Sequence, residues 1–208
     1  MAMKDIVAAV LAFDKARTVR LVEAELDRGA AATAILRDGL IAAMDEVGRR
    51  YSEGLFFVPE MLMAAEAMTA GLGLLRPHLS VPEVTPGGTV VIGTVKGDQH
   101  DIGKNLVATM LECAGFKVIN VGVDVTPKRF LAMAKRHDAR IIAMSALLTT
   151  TLPAMEATVA RVKRDGGGFK TLVGGAPVTQ AFADQIGADG YSPDAAGAVT
   201  LARSLASR

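Results

Sequence analysis

The second half of the chain alternates short apolar runs with amphipathic segments, and this alternation constrains the fold more than any other feature. The β-branched runs lie at residues 89–95, 117–121, 140–145 and 170–173, with a weaker one near 189–191. Helical segments are expected at about 102–114, 127–137, 153–165, 177–187 and 194–206. Apolar strands that alternate with helices are typical of a parallel sheet covered on both faces. The pattern predicts a five-stranded α/β domain, Rossmann-like or flavodoxin-like, over residues 89–208.

The first 78 residues show a different pattern, because apolar side chains recur there at helical spacing in four segments. The second segment stops at Gly29. The third covers about residues 31–53, with Gly39 as a candidate bend, and the fourth begins at Pro59, a favoured first helical position. These features predict a four-helix bundle over residues 1–78. Residues 79–88 hold two prolines and two glycines and are predicted to form a linker between the two domains.

Charge and composition argue against several classes of partner. The chain has 23 Lys and Arg against 22 Asp and Glu, so it lacks the basic character of a nucleic-acid-binding protein. It has no Trp and two Tyr, which leaves few rings on which single-stranded bases could stack. No apolar run reaches the ~18 residues of a membrane span, and the N-terminus shows no signal peptide. We therefore expect a cytoplasmic protein that binds neither nucleic acid nor membranes.

The stretch with the most distinctive chemistry is residues 93–105, where the first strand passes into the first helix of the sheet domain. It places Asp98, His100 and Asp101 among glycines, without the glycine motifs of dinucleotide or nucleoside-triphosphate sites. In open parallel sheets, ligands bind outside the carboxyl ends of the strands, near the point where the strand order reverses. This loop is therefore the first candidate for a binding site.

Two further loops follow the third and fourth strands. Residues 145–153 contain Ser145 and three threonines, and Gly174 and Gly175 follow the fourth strand. In a sheet of order 2-1-3-4-5, strands 1, 3 and 4 are neighbours. The three loops would then form one site with an imidazole, a carboxylate, hydroxyls and bare backbone. Such a site has room for a large ligand with a metal or polar head and a long tail.

Together these motifs resemble a known family. Asp98-x-His100-x-x-Gly103, then Ser145-x-Leu147, then Gly174-Gly175 resembles the signature of the cobalamin-binding domain of methionine synthase. It is still more similar to the small corrinoid proteins of methanol, methylamine and aryl-ether methyltransferase systems. The gaps of 41 residues between the first and second motifs and 26 between the second and third fit the family pattern. Residues 53–61 resemble the family's cap domain, so the likeness covers nearly the whole chain.

The resemblance implies a cofactor, cobalamin or a related cobamide, and a role for each matching residue. His100 would be the lower axial ligand of cobalt, with Asp98 holding its ring and Thr151 completing a proton relay. The implied channel for the cofactor's nucleotide tail is formed by Ser145, Leu147, Gly174 and Gly175. Other implied cofactor contacts are Gln99, Asp101, Ile102, Gly103, Thr149 and Thr150, and the implied cap over the upper face is formed by Phe57, Val58 and Met61.

The residues by themselves leave plainer interpretations open. Asp101 also fits an acidic residue favoured at a helix N-terminus, and residues 149–151 fit a loop that caps the next helix. The Gly174-Gly175 pair also fits a simple turn. Phe57 and Met61 also fit ordinary core positions.

The family resemblance implies a methyl carrier. Its cobalt would accept a methyl group from a substrate-specific methyltransferase and deliver it to a second methyltransferase with a tetrahydrofolate or thiol acceptor. A reductive activator is a further implied partner. Because no second pocket of acid, base or substrate-binding residues is visible, we expect a non-autonomous subunit that turns over no substrate alone.

Two other functions are compatible with a cobalamin-binding domain. One is a cobalamin-based sensor, which would carry a DNA-binding segment ahead of the helical bundle. We expect no such segment here, because the predicted helices begin within a few residues of Met1. The other is a mutase subunit, which would need a substrate barrel from another chain.

Overall fold

The computed structural model describes residues 2–79 and 87–207. The chain divides into two compact units, residues 1–86 and residues 87–208, except that residues 113–115 group with the first unit. Most of the predicted linker, residues 80–86, lies outside the described residues. Each unit is described by itself below.

The first unit is a bundle of four helices, as the periodicity predicts. Helix α1 covers Ala2–Leu11, α2 covers Lys15–Asp27, and α4 covers Val58–Leu75, which a 3₁₀ turn extends over Arg76–His78. Helix α3 is continuous but composite, with an α-helical turn Ala32–Ala34, a π-helical segment Ile35–Ile41 and an α-helix Ala42–Ser52.

Local sequence features explain where these helices begin and where α3 changes form. The Asp14 carboxylate caps α2 by accepting from the Arg17 N–H at 2.8 Å. The Glu60 carboxylate accepts from the Phe57 N–H at 2.9 Å, so α4 begins one residue before the predicted Pro59. Gly39 lies in the π-helical segment, where an added Cβ would come within 3.2 Å of the Ile6 side chain. The glycine therefore allows α1 to approach closely, and the expected bend is a π-helical turn.

Helix α4 is the apolar centre of this bundle. It packs against α1, α2 and α3, and Met61, Met68 and Leu75 on it are buried. The segment Val58–His78 is long and apolar enough, by length and composition alone, to cross a membrane. Its buried side chains serve as the core of the bundle, and the core helix of a folded domain passes the same test of length and composition.

The second unit is a five-stranded parallel sheet with helices between its strands. The strands are β1 (Thr89–Thr94), β2 (Lys117–Asn120), β3 (Ile141–Ser145), β4 (Lys170–Gly174) and β5 (Gly190–Tyr191). The helices are α5 (Ile102–Cys113), α6 (Pro127–Arg136), α7 (Leu152–Asp165), α8 (Gln180–Ile186) and α9 (Ala195–Ala206). The sheet order is β2-β1-β3-β4-β5, which confirms the predicted doubly wound topology.

The predicted element boundaries hold within a few residues, and α8 shows the largest difference. It begins at Gln180 because the Thr179 hydroxyl accepts from the Phe182 N–H at 3.2 Å and caps it. The predicted start at residue 177 is therefore three residues too early. The central strands are apolar on both faces because helices cover both sides of the sheet.

Candidate functional site

The carboxyl ends of three neighbouring strands lie in one row. Thr94 at the end of β1 pairs with Ser145 at the end of β3, which pairs with Gly174 at the end of β4. The loops that follow these strands therefore start at the same edge of the sheet, as the predicted strand order requires. This edge carries the sheet-domain residues that the sequence singles out.

Asp98 joins two of these loops from a buried position. Its side chain is 0% exposed, and Oδ2 accepts from the Leu147 N–H at 2.7 Å and the Leu148 N–H at 3.3 Å. The same oxygen accepts from the Thr151 hydroxyl at 2.9 Å. The carboxylate thus fixes the β1–α5 loop against the β3–α7 loop.

The other carboxylate oxygen of Asp98 holds His100. Oδ1 accepts from the His100 backbone N–H at 3.1 Å and lies 2.7 Å from Nδ1 of the imidazole. Burial by itself raises the pKa of Asp98, but hydrogen bonds from Leu147, His100 and Thr151 outweigh it and hold that pKa well below its usual range. An ionised carboxylate can only accept hydrogen bonds, so Nδ1 carries a proton toward it.

This arrangement leaves the second ring nitrogen of His100 available to a ligand. Nε2 has no hydrogen-bond partner among residues 2–79 and 87–207, and the His100 side chain is 49% exposed. With the proton of the neutral ring on Nδ1, Nε2 holds a lone pair. A carboxylate that orients a histidine in this way also raises its basicity as a metal ligand.

The loops that Asp98 joins carry exposed apolar side chains. Ile102 begins α5 with 86% of its surface exposed, and Leu147 and Leu148 on the β3–α7 loop are partly exposed. Gln99 is exposed in the same loop as His100. Exposed large apolar residues on loops that also carry polar groups are a common feature of ligand sites.

Asp101 and Gly103 lie at the start of α5. The Asp101 carboxylate accepts from the Asn105 amide at 3.0 Å, and its backbone carbonyl accepts from the Asn105 N–H at 2.8 Å. These contacts support the interpretation that Asp101 stabilises the helix N-terminus. Gly103 faces open space, because an added Cβ would meet no atom within 4 Å.

The three threonines form a 3₁₀ turn, Thr149–Thr151, ahead of α7. Thr151 is buried, and its Oγ1 lies 2.9 Å from Asp98 Oδ2 and 2.8 Å from the Leu148 carbonyl oxygen. Thr149 and Thr150 are exposed, and Ser145 is partly buried. The turn brings one of the three hydroxyls to Asp98, while a proton relay through Thr151 stays a prediction.

Gly174, the last residue of β4, and Gly175, which follows it, are both required by packing. A Cβ on Gly174 would lie 2.8 Å from the Ser192 carbonyl oxygen, and a Cβ on Gly175 would lie 1.9 Å from the Ala146 carbonyl oxygen. Gly175 also has a φ of 123°, which L side chains rarely adopt. The close approach of neighbouring backbone accounts for the pair, and passage of a nucleotide tail there stays a prediction.

The predicted cap residues divide between surface and core. Phe57 is 65% exposed just before α4 and Val58 is partly exposed, so both offer apolar surface. Met61 is 0% exposed, unlike Phe57, and its role as a shielding residue stays a prediction. Leu55, Leu62 and Met63 are exposed apolar residues that the sequence reasoning missed, although Leu55 directly precedes the Phe56-Phe57 pair.

Two polar residues at the sheet edge were also missed. Thr94 donates its hydroxyl to the His100 carbonyl oxygen at 2.8 Å, and Asp124 accepts from the Gly97 N–H at 2.7 Å. Thr94 could have been identified from the sequence as a polar residue at the end of an apolar strand. Asp124 lies 27 positions from Gly97, so only the turn-like residues around it could have indicated its role.

The donor set fits a corrinoid better than a metal held by protein alone. Within the described part of the chain, no group of three or more His, Cys, Asp and Glu side chains could hold a metal ion. A corrinoid would bring its cobalt already held by the macrocycle, so one donor atom from the protein would be enough. His100 Nε2 would be that donor, because Nδ1 is held by Asp98 and the side chain is partly exposed.

Comparisons with known families agree with this site. A family model described as a B12 binding domain matches residues 88–200, and a second model with the same description matches residues 2–76. The two matches cover most of the chain, including both units.

Relatives of known function are similar over most of their length. The dimethylamine corrinoid protein of Methanosarcina barkeri is 47% identical over 176 residues, which cover 82% of this chain and 82% of the relative. The trimethylamine corrinoid protein 1 of Methanosarcina acetivorans is 42% identical over 201 residues, which cover 95% of this chain and 93% of the relative.

Solved structures show the same architecture. A cobalamin-binding protein from Desulfitobacterium hafniense matches with a TM-score of 0.84 and 29% identity over 98% of both chains. The methanol:cobalamin methyltransferase complex MtaBC from Methanosarcina barkeri matches with a TM-score of 0.86 and 29% identity, over 99% of this chain and 80% of that one.

Proposed function

The chain belongs to the family of B12-binding corrinoid proteins, and we propose that it carries a methyl group on cobalt between two methyltransferases. The observation that carries this proposal is the buried Asp98 carboxylate, which holds His100 with Nε2 available to a metal. The bound corrinoid supplies a cobalt centre that can accept and release a methyl group. The remaining steps concern what the protein's own residues do.

His100 is proposed to hold the cofactor from below through Nε2. Asp98 keeps a proton on Nδ1 and restrains the ring, because its other oxygen is fixed by the Leu147 and Leu148 amides. The exposed side chains of Ile102 and Leu147 would cover part of the cofactor's apolar face. The protein thereby supplies ligation, orientation and shielding, while the cofactor supplies the reactivity.

Thr151 is proposed to complete a proton relay with Asp98. Its hydroxyl has one proton and two acceptors in reach, Asp98 Oδ2 and the Leu148 carbonyl oxygen. It can therefore donate to the ionised carboxylate, and would turn to the Leu148 carbonyl oxygen if Asp98 took up a proton. Thr151 would thus respond to the protonation state of Asp98.

The proposed partners are a substrate-specific methyltransferase, a second methyltransferase with a tetrahydrofolate or thiol acceptor, and a reductive activator, all in the cytoplasm. The names of the relatives at 42% and 47% identity favour a methylated amine as the methyl donor. The chain alone should transfer no methyl group from methylamines, methanol or methoxyarenes. Transfer without any partner enzyme would contradict the proposal.

The test of cofactor binding uses the purified chain with hydroxocobalamin. After reduction to Co(II), electron paramagnetic resonance should show coupling to one axial nitrogen, and labelling the protein's histidines with ¹⁵N should change the splitting. His100→Ala should lose this coupling and retain the corrinoid more weakly. A coupling that is unchanged by histidine labelling would show that the ligand is not a histidine.

The test of methyl transfer follows on the same preparation. The reconstituted protein is mixed with a methylamine methyltransferase and a thiol acceptor with its own methyltransferase, and the methylated thiol is measured. Tight cofactor binding with histidine ligation but no transfer with any donor enzyme would instead favour the sensor alternative.

We further propose that Phe57 and Val58 shield the cofactor from water and oxygen. Phe57→Ala should speed the oxidation of reduced cobalt under a fixed oxygen concentration. Phe56→Ala is the matched control, because its ring packs against Phe13 and lies under the Arg50 guanidinium within the bundle. Equal oxidation rates in the wild type and Phe57→Ala would contradict shielding by Phe57.

A further inference from the structure

A buried threonine holds the backbone of His100. Thr94 is the last residue of β1, its side chain is fully buried, and Oγ1 donates to the His100 carbonyl oxygen at 2.8 Å. This bond closes residues 94–100 into a loop anchored in the sheet. Asp98 restrains the ring and the backbone N–H of His100, and Thr94 restrains its carbonyl oxygen.

Asp124 holds the start of the same loop from the connection after β2. Its Oδ1 accepts from the Gly97 N–H at 2.7 Å, and its own N–H donates to the Asp98 carbonyl oxygen at 3.0 Å. Asp124 adopts a φ of 52°, which is uncommon for a residue other than glycine. Backbone strain of this kind persists where surrounding contacts hold it, and it clusters at functional sites.

The two contacts belong to one continuous set of hydrogen bonds. The Thr94 N–H donates to the Gly122 carbonyl oxygen at 3.0 Å, and the Val125 N–H donates to the Thr94 carbonyl oxygen at 2.9 Å. Residues 122–125 therefore run beside residues 94–98 and extend the pairing of β1 and β2 up to the His100 loop. The loop is tied to the rigid sheet at both its beginning and its end.

We propose that Thr94 and Asp124 are positioning residues for His100, through the Thr94 hydroxyl on the His100 carbonyl and the Asp124 carboxylate on the Gly97 amide. This inference rests on the proposed function, because it takes His100 as the lower ligand of a corrinoid. A metal–ligand bond requires placement of the donor atom to within about 0.5 Å. If the loop is no longer held to the sheet, Nε2 spends less time at the position needed to bind cobalt. The fraction of cobalt that is bound by His100 therefore falls.

The first experiment compares Thr94→Val and Thr94→Ser with the wild type. Each protein is loaded with hydroxocobalamin and reduced to Co(II), and the ratio of nitrogen-coupled to uncoupled cobalt is measured by electron paramagnetic resonance. Thr94→Val keeps the side-chain shape but removes the hydroxyl, and should lower the ratio roughly three- to tenfold, the equilibrium effect of one hydrogen bond. Thr94→Ser keeps the hydroxyl and should restore most of the ratio.

Thr158→Val is the matched control for Thr94→Val. Thr158 is also fully buried in the second unit, and its hydroxyl donates to the Ala154 carbonyl oxygen at 2.7 Å, but it lies on α7 away from the His100 loop. It should leave the ratio unchanged. An equal fall in Thr158→Val would show a general effect of losing a buried hydroxyl and would overturn the proposal.

The second experiment uses Asp124, which is exposed and can be changed with less risk to folding. Asp124→Ala should lower the same ratio, and Asp124→Asn should keep most of it because an amide oxygen can still accept from Gly97. Asp138→Ala is the control, because Asp138 also has a left-handed φ, 49°, but lies between α6 and β3. Asp138→Ala places an alanine at a similar left-handed φ but does not contact the His100 loop, so it should leave the ratio unchanged.

A readout without cofactor completes the test. Hydrogen exchange of the Gly97 amide in the corrinoid-free protein should be faster in Asp124→Ala than in the wild type or Asp138→Ala. If wild-type cobalt shows no histidine coupling, the assignment of His100 as ligand fails, independently of the positioning residues. If the wild type is histidine-bound and both Thr94→Val and Asp124→Ala keep its ratio, the positioning role is wrong.

Discussion

Replacing Asp98 by asparagine keeps the shape of the side chain but reverses part of its hydrogen bonding. Five donors surround the two carboxylate oxygens: the Leu147 and Leu148 amides and the Thr151 hydroxyl on Oδ2, and the His100 amide and Nδ1 on Oδ1. Asparagine offers one acceptor oxygen and one NH₂ group. The Leu147 and Leu148 amides face the position of Oδ2 and can only donate hydrogen bonds. We therefore expect the asparagine oxygen at the position of Oδ2 and the NH₂ group at the position of Oδ1, toward His100.

That orientation determines the effect on cofactor binding. The asparagine NH₂ group would favour the His100 tautomer with a bare Nδ1 and a proton on Nε2, which removes the lone pair that cobalt needs. Loss of an outer partner of a metal ligand typically lowers affinity about 10–100-fold, or about 1.4–2.8 kcal/mol. Asp98→Asn should therefore be mainly histidine-off when loaded with hydroxocobalamin, as measured by its visible and electron paramagnetic resonance spectra.

The same substitution should also lower the stability of the corrinoid-free protein. A hydrogen bond to a charged group contributes about 1.5–3 kcal/mol and a neutral one about 0.5–1.5 kcal/mol, so weakening two or three contacts should cost about 2–4 kcal/mol. Urea unfolding of the apoprotein would measure this loss.

Asp189→Asn provides the control for Asp98→Asn. The Asp189 carboxylate likewise accepts from a backbone N–H and a threonine hydroxyl, both of Thr171, but at the opposite end of the sheet. It should lose stability without changing the ligation of cobalt. A wild-type histidine-on fraction in Asp98→Asn would refute the reasoning that the carboxylate determines the tautomer.

Three further predictions follow from the same contacts. The folded-state pKa of Asp98 lies below its usual range, so the carboxylate should stabilise the fold fully above about pH 5 and lose this effect as the pH falls from about 4 through that lowered pKa. The difference in unfolding free energy between the wild type and Asp98→Asn should therefore become smaller in acid. Gly175→Ala should lower the free energy of unfolding by more than about 2 kcal/mol, because its Cβ would collide with the Ala146 carbonyl oxygen at a left-handed φ; wild-type stability would contradict this. Gly103→Ala should leave the stability of the apoprotein unchanged or slightly higher, because the position is helical and has open space around it. It should weaken corrinoid retention if the cofactor approaches the backbone there, whereas a large loss of apoprotein stability would show a structural role instead.

The site shows why one buried carboxylate is informative about function. Asp98 is satisfied by donors from two loops that follow different strands, so its position depends on the pairing of β1 with β3. A single displaced loop would leave a buried charge without partners, which is costly. The packing of the two loops and the position of His100 therefore depend on the same carboxylate.

The sequence by itself determined the fold class and the set of loops that meet at the site. Alternating apolar strands and helices are local periodic features, and with right-handed crossovers they leave few topologies for a parallel sheet. Asp98 and His100 are distinctive polar residues at a strand end, whereas the link of Thr151 to Asp98 is implied by the family resemblance. The structure brings Asp98 into contact with both His100 and Thr151. Local sequence also indicated the helix boundaries to within a few residues.

Only the tertiary structure decided which residues hold the site in place and which face solvent. Asp124 and Gly97 are 27 positions apart, and they meet because β2 lies beside β1 in one particular register. Met61 and Phe57 have similar apolar character, yet packing of α4 against three other helices buries one and leaves the other exposed. The family resemblance implies that Gly175 leaves space for a ligand, whereas the structure shows that the Ala146 carbonyl oxygen already leaves no room for a Cβ there. Periodicity reports burial on average, whereas these contacts depend on register and on close packing between segments distant in sequence.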